Sequence, residues 1–153
     1  MEQDYGTVTS EIVEELREIV GDKNVIFGDK EKLESYGEDE SGASFAHLPD
    51  VVVKPESTEH VSKIMALANR HRIPVTPRGA GSGLAGSAVP VFGGMVLSME
   101  RMNKILEIDK VNRVAVVEPA VVTKELCVKV LDEGLMYAGY PMSVEASLSL
   151  IHI

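Results

Sequence analysis

The chain has 153 residues, of which 44% are hydrophobic, so it is long enough for one domain with a hydrophobic core. Its net charge of −9 argues against nucleic acid or an anionic membrane surface as a partner, because both favour basic patches. The single cysteine excludes an internal disulfide framework and a multi-cysteine metal site.

The first predicted element is a helix over residues 11–20, where apolar residues recur at helical spacing. Thr9 or Ser10 can cap its start, and Gly21 is placed to end it. A second, short helix is expected over residues 30–36. The acidic stretch that follows, residues 37–42, is interpreted as a solvated loop rather than a site of paired carboxylates.

Residues 50–54 are rich in valine and predict a strand that is buried on both faces. Ser57 can cap the next helix, whose apolar stripe is expected to face the core. A strand over residues 73–76 follows directly. The order predicts a βαβ unit with a parallel pair of strands.

A further strand is expected over residues 95–99. Residues 104–108 and 113–117 then predict a hairpin. The last predicted element is a helix over residues 123–133, with an inward face that consists of Leu126, Val130 and Leu131.

The most informative segment is a glycine-rich loop, residues 79–87, which we call the glycine loop. It follows the predicted strand and Pro77-Arg78, and its glycines remove most Cβ atoms from one stretch of backbone. Such a backbone can adopt positive φ and approach a ligand closely. Successive N–H groups then form an anion-binding concavity, and Arg78 adds a positive charge beside it. The loop therefore predicts a phosphate or pyrophosphate site, the alternative being a surface turn that binds nothing.

Residues 81–86 also match the dinucleotide fingerprint G-x-G-x-x-G, with Glu100 about twenty residues beyond it. In a Rossmann unit this loop opens a crossover helix. Only residues 87–94 separate the loop from the next strand, and they contain Pro90 and two glycines. Because a parallel crossover needs about a dozen residues or more, we reject the Rossmann interpretation.

The string from Val75 to Leu84 resembles the pyrophosphate loop of FAD-linked oxidases of the vanillyl-alcohol-oxidase type, which carry a PCMH-type FAD-binding domain. It is most similar to the branch of glycolate oxidase D-subunits and D-lactate dehydrogenases. The residues V-V-V-K-P at 51–55 and E-P-A-V at 118–121 resemble further family motifs, with Ala120 in place of the usual glycine. If that turn requires positive φ, Ala120 is strained.

This resemblance implies an α+β fold. An N-terminal helical segment is expected over residues 1–29, and a first FAD-binding subdomain of βαβ type over residues 30–103. An incomplete second α+β subdomain is expected over residues 104–153. The family continues into a glycine-rich segment near residue 147, which is absent here. We therefore expect an N-terminal part of a longer protein, and whether the last six or seven residues are native stays open.

By the same resemblance, the cofactor is FAD, and the glycine loop binds its diphosphate through main-chain amides, with the Ser82 hydroxyl adding a contact. The expected cofactor-binding residues are Pro77, Arg78, Gly79, Ala80, Gly81, Ser82, Gly83, Leu84, Gly86, Ser87 and Pro141. Some family members attach the flavin through a histidine near this loop. Residues 77–95 contain none, which predicts non-covalent FAD.

The resemblance implies that the parent protein oxidises a 2-hydroxy acid of the glycolate or D-lactate type by hydride transfer to FAD. Its catalytic residues are expected in the absent C-terminal half, so no catalytic residue is assigned here. An iron–sulfur partner subunit or another electron acceptor stays open. The alternatives are a non-catalytic FAD- or nucleotide-diphosphate-binding module and the FAD domain of an enolpyruvyl-sugar reductase.

The remaining residues with chemical potential are interpreted as structural. The histidines have no metal-ligand spacing, and His60 and His71 are expected at opposite ends of one helix. Cys127 is interpreted as a small buried hydrophobe. The methionines at 65, 95, 99 and 102 are expected to fill the core. No signal peptide and no apolar run of about 20 residues is visible, so we expect a cytoplasmic protein without a membrane span.

Overall fold

The computed structural model describes residues 4–139, which form helices on a mixed sheet and a smaller antiparallel sheet. The helices are α1 (Ser10–Val20), α2 (Lys30–Glu34), α3 (Thr58–Arg70) and α4 (Thr123–Asp132). The strands are β1 (Val25–Phe27), β2 (Val51–Val53), β3 (Val75–Arg78), β4 (Met95–Ser98), β5 (Ile105–Asp109) and β6 (Val114–Val117). Every predicted helix and strand is present, and β1 is a strand in the described part of the chain that was not expected.

The capping residues act as the sequence predicts. The Thr9 side chain accepts a hydrogen bond from the Ile12 amide at the start of α1, and Gly21 ends this helix with a φ of 84°. At α3, the Ser57 side chain accepts from the His60 amide. These side chains satisfy amides that a helix N-terminus leaves without partners, which explains why the helices begin where they do.

The mixed sheet has the strand order β1-β2-β4-β3, in which β1 is antiparallel and the other three strands are parallel. As predicted, β2 and β3 run parallel and are joined by α3. They do not pair with each other, however, because β4 lies between them. The sequence explains this order. Residues 95–98 are all buried and suit a central strand, whereas Pro77 lacks an N–H donor and suits the edge position of β3.

Both faces of β2 are covered, as predicted. Val51 and Val53 pack with α1 and α3 on one face, in a cluster that contains Leu16, Ile64 and further apolar residues. Val52 faces the other way and packs with Leu33 of α2. Alternate residues of one strand thus enter separate apolar clusters, which fixes the register of the sheet.

The smaller sheet is the predicted hairpin of β5 and β6, and α4 packs on it. On α4 the inward residues are Leu126, Cys127 and Val130. The prediction for Leu131 is wrong, because its side chain is 61% exposed. Adjacent helical positions differ by about 100° in direction, so Val130 and Leu131 cannot both face the hairpin centrally.

Two smaller expectations are settled by the backbone and by burial. Ala120 is buried and does not have positive φ, so the strain considered for it does not arise. Met95 and Met102 are buried and Met99 packs against the main cluster, but Met65 is 44% exposed, which corrects its assignment to the core.

The N-terminal elements α1 and β1 pack against the mixed sheet. Residues of α1 and β1 enter the same apolar cluster as β2 and β4. The division at residues 29 and 103 stays a prediction. Pro141 and the expected end of the second subdomain lie outside the described residues. Within residues 4–139, no helix is long and apolar enough to cross a bilayer.

Candidate diphosphate-binding site

The glycine loop begins at the carboxyl end of β3 and is followed by a connection to β4, its parallel neighbour. No helix lies between residues 79 and 94. This confirms the reason for rejecting the Rossmann interpretation. The carboxyl ends of parallel strands form one edge of the sheet, which is where open sheets of this kind bind ligands. Lys54 and Glu100, which follow β2 and β4, lie at the same edge.

The backbone of the glycine loop has the conformation that its sequence predicts. Gly81 has a φ of 73° and Gly86 a φ of 71°, values that side-chain-bearing residues rarely adopt. Within residues 4–139, no main-chain hydrogen bond takes up an amide between Gly79 and Ser87. A run of N–H groups without main-chain partners is suited to an anion with several oxygen atoms.

The other expected site residues fall into two groups by exposure. The exposed ones are Pro77, Ala80, Leu84 and Ser87, and the partly exposed ones are Gly79, Ser82 and Gly83. Leu84 is 72% exposed. All of them belong to one continuous segment, and a ligand can reach that segment from solvent.

Arg78 differs from the rest of the set because it is 9% exposed. Its Nη1 donates to the carbonyl of Glu38 at 2.7 Å and to that of Ala88 at 3.5 Å. Its Nη2 donates to the carbonyl of Ser35 at 3.4 Å. The guanidinium carbon lies 5.8 Å from the centre of the Tyr36 ring, within the range of a cation–π contact.

Asp39 is also buried, which corrects the interpretation of residues 37–42 as a solvated acidic loop. Its carboxylate accepts hydrogen bonds from the Ser41 amide and hydroxyl and from the Ala88 amide at 3.4 Å. The Ser41 hydroxyl contributes most to holding the pKa of Asp39 below its ordinary value, and nearby Arg78 acts in the same direction. Glu38 and Glu40 are exposed, as expected.

A second polar cluster lies at the same edge of the sheet. Lys54 Nζ is 2.7 Å from Glu100 Oε1, and Glu100 Oε2 accepts from the hydroxyls of Tyr36 at 3.1 Å and Ser98 at 2.9 Å. Partial burial alone would raise the pKa of Glu100, but the hydrogen bonds from Lys54 and Ser98 outweigh it and lower this pKa. The ion pair likewise raises the pKa of Lys54 against the effect of its burial.

The contacts around Tyr36, Asp39, Lys54 and Glu100 are features of this edge of the sheet that the sequence did not assign. A signal existed in the spacing Y-x-x-D-x-S, which Tyr36, Asp39 and Ser41 match. Its meaning depends on contacts across more than forty residues of chain, such as Asp39 to Ala88. Sequence spacing alone cannot show such contacts.

Within residues 4–139, no histidine side chain makes one of the hydrogen bonds described for this site. His60 lies in the first turn of α3 and His71 follows its last residue, as expected for two ends of one helix. In the part of the chain that the structure describes, no group of histidine, cysteine and acidic side chains is arranged to hold a metal ion.

A diphosphate fits this arrangement. The loop offers amides without main-chain partners, and a Cβ added at Gly83 would meet no side-chain atom closer than 3.6 Å. A family model described as an FAD binding domain matches residues 49–148, about two thirds of the chain. The chain belongs to the FAD-linked oxidoreductase family with a PCMH-type FAD-binding domain. The α+β fold and the resemblance noted for the glycine loop are thereby confirmed.

Individual relatives agree with this assignment. The chain is 39% identical over 140 residues to D-lactate dehydrogenase of Anaerostipes hadrus, an alignment that covers 92% of this chain and 29% of that protein. It is 34% identical over 140 residues to glycolate oxidase subunit GlcD of Bacillus subtilis, with the same coverage of 92% and 29%. The chain therefore spans somewhat less than a third of the length of these relatives.

The fold is also similar to that of solved structures. Alkyldihydroxyacetonephosphate synthase superposes with a TM-score of 0.78 at 25% sequence identity, covering 96% of this chain and 29% of that one. The similarity thus includes the mixed sheet, the glycine loop and the hairpin with α4.

Proposed function

We propose that this chain forms the diphosphate-binding part of the FAD site in an enzyme that oxidises a 2-hydroxy acid. The observation that carries the proposal is the glycine loop, whose amides have no main-chain partners within residues 4–139 and lie at the carboxyl edge of a parallel sheet. The FAD-binding family model supports the cofactor. The relatives named for D-lactate and glycolate support the substrate class.

In this proposal the chain binds and orients the cofactor rather than reacting with substrate. The amides of residues 79–87 donate hydrogen bonds to the diphosphate, and the Ser82 hydroxyl adds one more donor. Bound FAD supplies the redox chemistry by accepting a hydride equivalent from the carbon that bears the hydroxyl group. None of the described residues is assigned to contact the 2-hydroxy acid.

We propose that the FAD is held without a covalent bond. The glycine loop and its flanks, residues 77–95, contain no histidine that could carry the flavin. Acid precipitation of the loaded protein is expected to release all flavin into the supernatant. Flavin that stays with the washed, unfolded pellet would contradict this part of the proposal.

A second candidate is an FAD- or nucleotide-diphosphate-binding module with no catalysis of its own. The observation that favours it is that the loop amides at the carboxyl edge of the sheet suit the diphosphate of any nucleotide. The two candidates differ in one measurement, which is anaerobic bleaching of bound flavin by glycolate or D-lactate. Bleaching by a version of the protein with the relatives' full length, but not by these 153 residues, would assign the chain as the binding module of such an enzyme.

The first experiment is a titration of the chain with FAD, followed by flavin fluorescence and by thermal unfolding. A ligand that binds only the folded state at about 100 times its Kd stabilises that state by about 2.7 kcal/mol, so the melting temperature should rise with FAD concentration. Gly83→Val should abolish this rise while the protein stays folded, because its Cβ would make only ordinary van der Waals contacts, at 3.6 Å to Ser87 Oγ and 3.8 Å to Asp39 Oδ2. Ala66→Val, on the exposed face of α3, is the control. An equal rise in both variants would contradict a site in the glycine loop.

A further inference from the structure

The guanidinium of Arg78 lies directly beneath the glycine loop. A Cβ built on Gly81 would come within 2.5 Å of Arg78 Cζ, closer than real side-chain contacts allow. A side chain at Gly81 would therefore have to displace the guanidinium. The guanidinium is the far end of a long side chain, and it could move only by giving up its hydrogen bonds to carbonyl oxygens.

The same guanidinium joins the segment of residues 35–38 to the end of the glycine loop. Its hydrogen bonds reach the carbonyl of Ser35 after α2, the carbonyl of Glu38 in the acidic segment, and the carbonyl of Ala88 just after the glycine loop. Asp39 completes the arrangement, because its carboxylate accepts from the amide of Ala88. Both polar groups of the Ala88 main chain are thus held by buried charged side chains.

The charge of Arg78 is already shared among groups inside the protein. The guanidinium faces carbonyl oxygens and the Tyr36 ring, and the nearby Asp39 carboxylate is ionised since its pKa is lowered. An arginine that bound a phosphate directly would need its planar fork free to face the anion. Here both Nη atoms already donate to main-chain carbonyl oxygens, whereas the loop amides have no main-chain partners within residues 4–139.

We propose that Arg78 is a positioning residue, which together with Asp39 holds the glycine loop in its binding conformation from beneath and does not itself contact the diphosphate. The loop amides and the Ser82 hydroxyl recognise the anion. The nature of the ligand rests on the proposed function, but the support of the loop by Arg78 does not.

The first test needs no ligand. In Arg78→Lys and Arg78→Met, hydrogen exchange of the Ala88 and Val89 amides is measured by NMR, with the Met95 amide as a reporter of global stability. Ala88 bonds to Asp39, Val89 bonds to the carbonyl of Gly86, and Met95 bonds to that of Pro74. Exchange at residues 88 and 89 should accelerate by on the order of tenfold relative to Met95 in both variants. Lysine lacks the planar guanidinium that donates to several carbonyl oxygens at once, and methionine has no N–H donor. Unchanged relative exchange would overturn the proposal.

The second test measures FAD affinity as a function of salt. If Arg78 only positions the loop, Arg78→Lys and Arg78→Met weaken FAD binding equally, and the slope of log Kd against log salt concentration stays that of the unsubstituted protein. If Arg78 contacts the phosphate directly, Arg78→Lys largely keeps the affinity, whereas Arg78→Met loses affinity and reduces the slope. If the unsubstituted chain does not bind FAD, the proposed function fails, while the exchange experiment still decides the role of Arg78.

Asp39→Asn is the milder variant and covers the case in which both arginine variants unfold. It removes a negative charge beneath the anion site, so a purely electrostatic role of Asp39 predicts tighter FAD binding. The positioning role predicts faster exchange at Ala88 and weaker binding. Asparagine has one acceptor oxygen, which cannot serve both Ser41 and Ala88, and its NH2 group cannot accept a hydrogen bond. Tighter binding with unchanged exchange would refute the positioning role.

Discussion

Gly81→Ala should be far more destabilising than the same change at Gly86, although the two glycines have nearly equal φ values of 73° and 71°. Each alanine meets the left-handed penalty of about 1–2 kcal/mol. At Gly86 the nearest atom outside the chain neighbours is Ser41 Oγ at 3.6 Å, so no further cost is expected. At Gly81 the new methyl group displaces the Arg78 guanidinium, and losing a charged hydrogen bond adds about 1.5–3 kcal/mol.

The free energy of unfolding should therefore fall by about 2.5–5 kcal/mol for Gly81→Ala and by about 1–2 kcal/mol for Gly86→Ala. Urea unfolding with an unchanged m value measures both. The effect of glycine on the unfolded chain is the same at the two sites and cancels in the comparison.

The decisive comparison repeats Gly81→Ala in the Arg78→Met background. With the guanidinium absent, the cost of the alanine should fall to that of Gly86→Ala, since only the backbone term remains. If Gly81→Ala costs the same with and without the arginine, then the contact between the loop and Arg78 is not the reason for the glycine.

Three further predictions concern the rest of the fold. Leu126→Ala should lower the free energy of unfolding by about 2–5 kcal/mol, because Leu126 is buried. Leu131→Ala, at an exposed position of the same helix, should lower it by less than about 0.5 kcal/mol. Similar losses of unfolding free energy for the two variants in urea titrations would contradict the assigned inward face of α4. Ser57→Ala should cost about 1 kcal/mol through loss of the α3 cap, and Ser57→Asp should restore most of it; an Asp variant as unstable as Ala would argue against capping. Because the folded pKa of Glu100 lies below its ordinary 4.5, its stabilising effect is present above that pH and is lost as pH falls through 4.5 toward the folded pKa. Glu100→Gln should flatten the stability curve in that window, and an unaltered curve would exclude the ion pair with Lys54 as its source.

The positions of the secondary-structure elements were largely predictable, because the signals for them are local. Thr9, Ser57 and Gly21 act at their own helix ends, where a side-chain oxygen or a positive φ suffices. The valines of β2 predicted a strand buried on both faces, and the two apolar clusters confirm it. Leu131 was misassigned because the helical pattern of α4 admits two neighbouring inward faces, and only the packing on the hairpin selects one.

The sequence by itself determined that a glycine-rich backbone follows a strand with no room for a crossover helix, and this was enough to predict an anion site and to reject a Rossmann unit. These features follow from the absence of Cβ atoms in the loop and from the short connection between the loop and β4. Only the tertiary structure decided that β4 separates β2 from β3, and that the Arg78 guanidinium is buried against Gly81. It also decided that Asp39 is buried rather than solvated. The direction and burial of a charged side chain depend on partners from other segments, here Ser35 and Glu38 for Arg78, which spacing along the chain does not encode.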